Sequence, residues 1–212
     1  MPTNFIFDLD GTIADTSPIL VQTYKKIALE HGLPLYTEAD FVYKLRNNKP
    51  QDLLKEIGIS KTQFLKISIK VRKTLYNQMS QVKPISGMKQ VLIQLDQAGY
   101  NLGIMTSNSR QNTHQFLSSV NLLRLFPFIY TSHNIFGKDK VIKRLLKEQK
   151  INKNEAIYIG DETRDIEACK KVGIRMIATT WGLNSREMLQ SLQPDKIVES
   201  PIELLEVLQS FS

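Results

Sequence analysis

Short apolar runs alternate along the chain with longer stretches in which apolar residues recur at helical spacing. Five of these runs end at a turn or a polar cluster: 5–7, 102–105, 128–130, 156–159 and 175–178. Continuous apolar runs of this length are typical of buried parallel strands, and helical stretches between them are what βαβ units require. The pattern predicts an α/β fold with a Rossmann-like parallel sheet and helices on both faces.

The helical stretches are clearest at 111–122, 140–149 and 163–172. A late apolar run at 196–198 predicts an edge strand, and we expect a helix to start at Pro201.

The segment 16–82 breaks this alternation. It contains no run that predicts a strand, whereas apolar residues recur at helical spacing near its start and again over 64–75. Gly58 marks the end of one helix. We predict an all-α cap domain inserted after the first strand, with residues 1–15 and 83–212 forming the core domain.

Composition is ordinary for a soluble globular protein, with 42% hydrophobic and 23% charged residues in a chain of 212. The single cysteine, Cys169, cannot form an intramolecular disulfide, which favours a reducing compartment. The N-terminus shows no secretory signal, and no apolar stretch reaches the length of a bilayer span. We therefore expect a cytoplasmic protein without a membrane partner.

The net charge of +7 is concentrated in the segment 16–82, which has eleven Lys and Arg residues against five Asp and Glu residues, a net of +6. Such an excess suits an anionic small substrate or a nucleic acid, although a solvated basic surface would give the same count.

Polar residues follow three of the predicted strands, at the edge of the sheet where ligands gather in open α/β folds. Asp8 and Asp10 follow the first strand, residues 106–108 follow the second, and the acidic residues of 161–165 follow the fourth. We expect these side chains to converge on one pocket.

The two acidic clusters have simpler explanations when each is taken alone. Asp8 and Asp10 point to the same side of the chain and repel each other, yet they could also form a solvated Asx turn. Asp161 could cap the helix that follows it. Two such clusters at neighbouring strand ends instead predict a site for a hard cation such as Mg²⁺.

Residues 8–12, Asp-Leu-Asp-Gly-Thr, and residues 160–165, Gly-Asp-Glu-Thr-Arg-Asp, together resemble the haloacid dehalogenase superfamily in its phosphatase branch. Two further signatures fit: a hydrophobic strand that ends in Thr and Ser at 103–108, and a lysine before a helix at 136–138. The insertion lies where phosphoglycolate phosphatase-like members carry an α-helical cap.

The resemblance implies a mechanism for the acidic residues. Asp8 would be the nucleophile that forms an aspartyl-phosphate, and Asp10 would act as general acid and then as general base. Mg²⁺ would bind the carboxylates of Asp8 and Asp161 and the backbone carbonyl of Asp10.

The resemblance also implies the phosphate site. Thr106 would hold a phosphoryl oxygen through its hydroxyl and the nearby amides of Ser107 and Asn108. Lys138 would hold the phosphoryl group by charge and would be oriented by Asp165.

Some positions depart from the family pattern. Asp139 stands where many relatives have proline after the motif lysine, so Lys140 competes with Lys138 for the role. Glu162 replaces a more usual Ser or Asn, and it either binds the metal or supports the residues that do.

Two basic residues between predicted cap helices, Arg46 and Lys49, are candidates for contacting the leaving group, with solvated loop residues as the alternative.

The sequence thus predicts a Mg²⁺-dependent phosphatase that acts on a small phosphorylated metabolite through Asp8. Two alternatives stay open: a phosphotransferase or phosphomutase of the same superfamily, and a non-catalytic basic protein that binds nucleic acid or a partner.

Overall fold

The computed structural model describes residues 3–48, 50–60, 62–63, 78–132 and 137–211. Within them one parallel sheet is formed by six strands: β1 (Asn4–Phe7), β2 (Asn101–Thr106), β3 (Phe128–Thr131), β4 (Ala156–Gly160), β5 (Arg175–Thr179) and β6 (Lys196–Val198). Their order across the sheet is β3-β2-β1-β4-β5-β6, and every neighbouring pair runs parallel. The strand order changes direction between β1 and β4, which is where a Rossmann-like sheet opens a crevice for ligands.

The helices of the described residues are α1 (Ser17–His31), α2 (Glu38–Asn47), α3 (Pro50–Ile57), α4 (Met88–Gln97), α5 (Arg110–Ser119), α6 (Lys138–Glu148), α7 (Thr163–Val172), α8 (Arg186–Ser191) and α9 (Pro201–Gln209). Short 3₁₀ turns occur at Met79–Gln81, Leu123–Leu125 and Lys153–Glu155.

Both faces of the sheet are covered because side chains alternate along each strand. Phe5 and Phe7 pack on one face with the buried residues of α4, α5 and α9. Ile6 packs on the other face with those of α6, α7 and α8. The predicted α/β fold, with a buried parallel sheet between two helical layers, is confirmed.

Helices α1 to α3 follow β1 and form a separate hydrophobic cluster. Tyr24 of α1 stacks on Phe41 of α2 with ring centroids 3.8 Å apart. Gly32 ends α1 in the left-handed conformation, with φ at 62°. We refer to residues 16–82 as the cap segment; the helix expected over 64–75 lies outside the described residues.

Among the residues that the structure describes, no helix combines the length and the apolar content that crossing a bilayer would require.

Candidate active site

The two central strands bring the acidic residues together. Asp8 directly follows β1 and Asp161 directly follows β4, and their relative exposures are 2% and 0%. The amide of Asp8 donates to the carbonyl of Ile159 at 2.8 Å, so the sheet itself fixes Asp8 at the strand end. One carboxylate oxygen from each of Asp8, Asp161 and Asp165 lies within 4.8 Å of the other two. The strand ends therefore meet as the sequence predicts.

Lys138 is the cation at the centre of this cluster. It begins α6 after Gly137, whose φ of 131° turns the chain in a way that other residues rarely adopt. Its Nζ donates to Asp8 Oδ2 at 2.6 Å and also to Asp165 Oδ1. Burial by itself lowers the pKa of Lys138, but the carboxylates of Asp165 and Asp8 outweigh it and leave the pKa raised. Lys140 is exposed on the same helix.

Asp10 lies beside this cluster, partly exposed. The side-chain amide of Asn108 donates to both of its carboxylate oxygens, at 3.1 and 3.0 Å. Burial, followed by the charge of Asp8, raises the pKa of Asp10 to about 7, although the hydrogen bond from Asn108 opposes the rise. A carboxyl group with a pKa near neutrality can both donate and accept a proton in one reaction cycle.

Asp161 is held by two donors and enclosed by two glycines. Thr12 Oγ1 donates to Oδ1 at 2.7 Å, and the amide of Leu183 donates to Oδ2 at 2.6 Å. A Cβ atom on Gly11 or on Gly182 would lie 2.3 Å from atoms of the Asp161 side chain. Only glycine fits at either position without displacing the carboxylate.

The donor set of this cluster fits a hard divalent cation. Burial, followed by the charges of Glu162 and Asp8, raises the pKa of Asp161 well above its ordinary value. A buried carboxylate among other carboxylates is stabilised by positive charge, and Lys138 is already paired with Asp8 and Asp165. Carboxylate oxygens are the ligands that Mg²⁺ prefers, so Asp8 and Asp161 are suited to hold it.

The turn after β2 carries the residues predicted to bind phosphate. Thr106 is fully buried, and its Oγ1 accepts a hydrogen bond from the amide of Asn108 at 3.0 Å. Ser107 is partly exposed on the same turn. Because β2 is the neighbour of β1, the turn adjoins Asp8 and Asp10. Phosphate binding by these residues stays a prediction.

The comparison with known proteins agrees with this geometry. A protein-family model described as haloacid dehalogenase-like hydrolase matches residues 5–179. The chain belongs to the haloacid dehalogenase-like hydrolase family. The match spans β1 to β5 and includes both acidic motifs, so the resemblance found in the motifs and the expectation of a hydrolytic enzyme are confirmed.

Relatives of this hydrolase cover nearly its whole length. A phosphoglycolate phosphatase from Synechococcus elongatus is 32% identical over 201 residues, which are 95% of this chain and 94% of the relative. A pyrophosphatase from Bacillus mycoides is 25% identical, with 96% and 95% of the two chains covered. The structure of a haloacid dehalogenase-like family hydrolase from Streptococcus pneumoniae superposes with a TM-score of 0.83 at 24% identity, covering 98% of each chain.

Glu162 of this hydrolase is engaged by a neighbouring cation. Arg164 Nε donates to Glu162 Oε2 at 2.6 Å. Burial favours protonation of Glu162, but Arg164 and then Lys138 outweigh it and lower its pKa. The Glu162 amide, which precedes α7, donates to Oδ2 of Asp165 in the first turn of that helix at 3.2 Å, and the other oxygen of Asp165 pairs with Lys138. Whether Glu162 binds the metal stays a prediction.

Arg46 and Lys49 of the cap segment were predicted to contact the leaving group, and the structure describes only the first of them. Arg46 donates from Nη1 to the carbonyl of Gly182 at 2.6 Å and from Nη2 to the carbonyl of Thr180 at 2.8 Å. Its guanidinium is thus bound to the loop after β5, and contact with a leaving group stays a prediction. Lys49 lies outside the described residues.

Sequence reasoning missed three residues that hold Asp161: Thr12, Gly182 and Leu183. Thr12 ends the first acidic motif, so its position was available as a signal. Leu183 acts through its backbone amide and Gly182 through the absence of a side chain, and neither leaves a recognisable residue pattern. Their position just after the fifth strand, at the ligand edge of the sheet, was the available signal.

Proposed function

We propose that this hydrolase is a Mg²⁺-dependent phosphatase that cleaves a small phosphomonoester through an aspartyl-phosphate on Asp8. The observation that carries the proposal is the clustering of Asp8, Asp161 and Asp165 within 4.8 Å, with Lys138 bonded to Asp8. The phosphatase names of the relatives support the same reaction class.

In the first step a carboxylate oxygen of Asp8 attacks phosphorus, and the bond between phosphorus and the ester oxygen breaks. Asp10 donates its proton to the departing oxygen, which leaves as an alcohol. Thr106 and Lys138 bind the phosphoryl oxygens as charge spreads over them. A Mg²⁺ ion held by Asp8, Asp161 and the Asp10 carbonyl would supply positive charge that offsets repulsion between the nucleophile and the anionic ester.

In the second step Asp10, now a carboxylate, takes a proton from water as the water oxygen attacks phosphorus. The bond between phosphorus and Asp8 breaks, inorganic phosphate leaves, and both aspartates return to their starting forms. The raised pKa of Asp10, about 7, supports this double role.

The space beside Asp10 supports a small substrate. A cavity of about 150 Å³ adjoins the site, and its lining residues are Asp10, Gly11, Thr16, Ser17, Leu20, Asp161, Glu162 and Leu183. The net charge of +6 on the cap segment supports a second anionic group on the leaving alcohol. Phosphoglycolate, which the 32% identical relative is named for, is therefore the first ester to test.

We further propose that the protein works in the cytoplasm and that the cap segment, residues 16–82, folds as a cap domain over the core of residues 1–15 and 83–212. The single cysteine, buried Cys169, supports the first point. The separate hydrophobic cluster of α1 to α3 supports the second.

The test is phosphate release from phosphoglycolate, pyrophosphate, glucose 6-phosphate and p-nitrophenyl phosphate, each with Mg²⁺ and with EDTA. We expect Mg²⁺-dependent release, fastest from phosphoglycolate, that is abolished in Asp8→Asn and retained in Asp96→Asn, a matched change on the exposed face of α4. Release that survives in Asp8→Asn would refute the mechanism. Transfer of phosphate to an added sugar phosphate, in place of free phosphate, would favour a phosphotransferase.

A further inference from the structure

The segment 180–185 joins β5 to α8, and we call it the β5–α8 loop. On one side it contacts Asp161: the amide of Leu183 donates to Oδ2, and the amide of Asn184 donates to the Asp161 carbonyl at 3.2 Å. Asn184 Oδ1 also accepts from the amide of Thr163 at 2.8 Å. The β5–α8 loop therefore contacts both the carboxylate and the backbone carbonyl of Asp161 and helps to fix their positions.

On its other side the loop is bound by α2 of the cap segment, through Arg46. The guanidinium donates to the carbonyls of Thr180 and Gly182, and the Arg46 carbonyl accepts from the amide of Ser185 at 2.9 Å. That carbonyl lies in the last turn of α2, where the carbonyl groups have no amide partner within the helix. One residue thus makes three hydrogen bonds to the β5–α8 loop, and they hold both of its ends.

The chemistry of Arg46 suits this contact. A planar guanidinium can donate to two carbonyls at once, which the single ammonium of a lysine at the same position does less well. The two acceptors flank Trp181 in the sequence, so the bonds fix the part of the loop that contains Gly182. Gly182 is also the residue whose Cβ would lie 2.3 Å from Asp161.

We infer that Arg46 is a positioning residue that couples the docking of the cap segment to the placement of the Asp161 carboxylate. This inference rests on the proposed function, because it assigns Asp161 to Mg²⁺. When α2 is docked, Arg46 holds the β5–α8 loop in the shape that lets Leu183 and Gly182 fix Asp161. When α2 moves away, that loop loses three hydrogen bonds, and of the two donors to the Asp161 carboxylate only Thr12 keeps its place.

The β5–α8 loop contains a natural fluorescent residue, Trp181. Trp181 is the only tryptophan, it is partly exposed, and its Nε1 donates to the carbonyl of Thr12 at 3.2 Å. Its fluorescence therefore reports on the β5–α8 loop without labelling.

The experiment compares Arg46→Met, Arg46→Lys and the matched control Lys44→Met in the full chain. Lys44 lies on the same helix and pairs with Glu56 inside the cap segment. Three quantities are measured: acrylamide quenching of Trp181 in EDTA, the Kd for Mg²⁺ by calorimetry, and the KM for phosphoglycolate. Thermal unfolding establishes that each variant is folded, and Arg46→Lys, which keeps the charge, decides the test if Arg46→Met does not fold.

We expect Arg46→Met to increase quenching of Trp181 and to raise the Kd for Mg²⁺ about tenfold, the lower end of what loss of an outer partner of a metal ligand costs. Arg46→Lys should show the same changes in smaller degree, and Lys44→Met should show neither. Unchanged quenching and an unchanged Kd would overturn the inference, and a raised KM for phosphoglycolate alone would instead assign Arg46 to substrate binding. If the wild-type protein binds no Mg²⁺, the metal role in the proposed function fails, and the inference falls with it.

Discussion

The side-chain amide of Asn108 donates a hydrogen bond to each carboxylate oxygen of Asp10, at 3.1 and 3.0 Å. The orientation of that side-chain amide is fixed at its oxygen, because Asn108 Oδ1 accepts hydrogen bonds from Asn112 Nδ2 and from the Ser109 amide, both at 2.8 Å. Its NH₂ group must therefore face Asp10. Asn108, predicted as a phosphate ligand, is in this structure a partner of the proposed acid and base.

Asn108→Ala is expected to shift the pH dependence of kcat/KM. Asp10 must be protonated to donate to the leaving group, so kcat/KM falls as pH rises through its pKa of about 7. The bond from Asn108 lowers that pKa, so its loss raises the pKa and moves the falling limb to higher pH. The measurement is kcat/KM for phosphoglycolate between about pH 5 and pH 9.

Asn101→Ala is the control for this change, because Asn101 lies at the opposite end of β2 and bonds to Asn4. Its falling limb should match that of the wild type. An unmoved limb in Asn108→Ala would contradict the role assigned to the pair.

Lys138→Ala should lower kcat/KM by roughly 10²- to 10³-fold, the usual cost of removing one donor to developing charge. It should also lower the free energy of unfolding by about 3–5 kcal/mol, because Asp8 and Asp165 would be left buried without their partner. Lys140→Ala, two residues further along the same helix but on its exposed side, should leave both quantities nearly unchanged. Phosphate release and urea unfolding measure the two quantities. A large loss of activity in Lys140→Ala, with Lys138→Ala nearly unchanged, would give the catalytic role to Lys140.

Gly182→Ala should abolish the thermal stabilisation that Mg²⁺ gives to the folded protein. The new Cβ would lie 2.3 Å from the Cβ and Oδ2 of Asp161 and would push the carboxylate away. Differential scanning fluorimetry with and without Mg²⁺ measures the effect, because a ligand that binds only the folded state raises the Tm.

The control for backbone effects is Gly99→Ala. Gly99 has a φ of 83° and no atom within 4 Å of its Cβ position. Its substitution should cost about 1 kcal/mol of stability through backbone strain while the Mg²⁺-dependent rise in Tm persists. A persisting Mg²⁺ effect in Gly182→Ala would separate Asp161 from the metal site.

The sheet could be predicted because its central strands β1 and β4 are buried along their whole length and appear as continuous apolar runs. The run 156–159 lies within β4 (Ala156–Gly160), and even the short edge strand β6 coincides with its predicted range, Lys196–Val198. Burial imposes this pattern on the sequence directly. The convergence of Asp8 and Asp161 followed from the same rule, because neighbouring parallel strands end at one edge.

The partners of the acidic residues could not be predicted in the same way. Arg46 donates to two backbone carbonyls, and Leu183 donates from a backbone amide to Asp161. Every residue has a carbonyl and nearly every residue has an amide, so the sequence does not distinguish which of them a side chain will meet. Such contacts depend on how α2 docks on the β5–α8 loop, which is a property of the assembled fold.

The central position of β1 has a consequence for how the enzyme matures. Of the six described strands β1 is synthesised before the others, yet its neighbours β2 and β4 begin at Asn101 and Ala156, and the hydrogen bond from Thr12 to Asp161 spans 149 residues. Asp8, the proposed nucleophile, therefore leaves the ribosome long before Asp161, the carboxylate proposed to complete its cation site. A nascent chain that stops before β4 therefore contains Asp8 but lacks Asp161, and under the proposed mechanism hydrolysis can begin only after β4 has paired with β1.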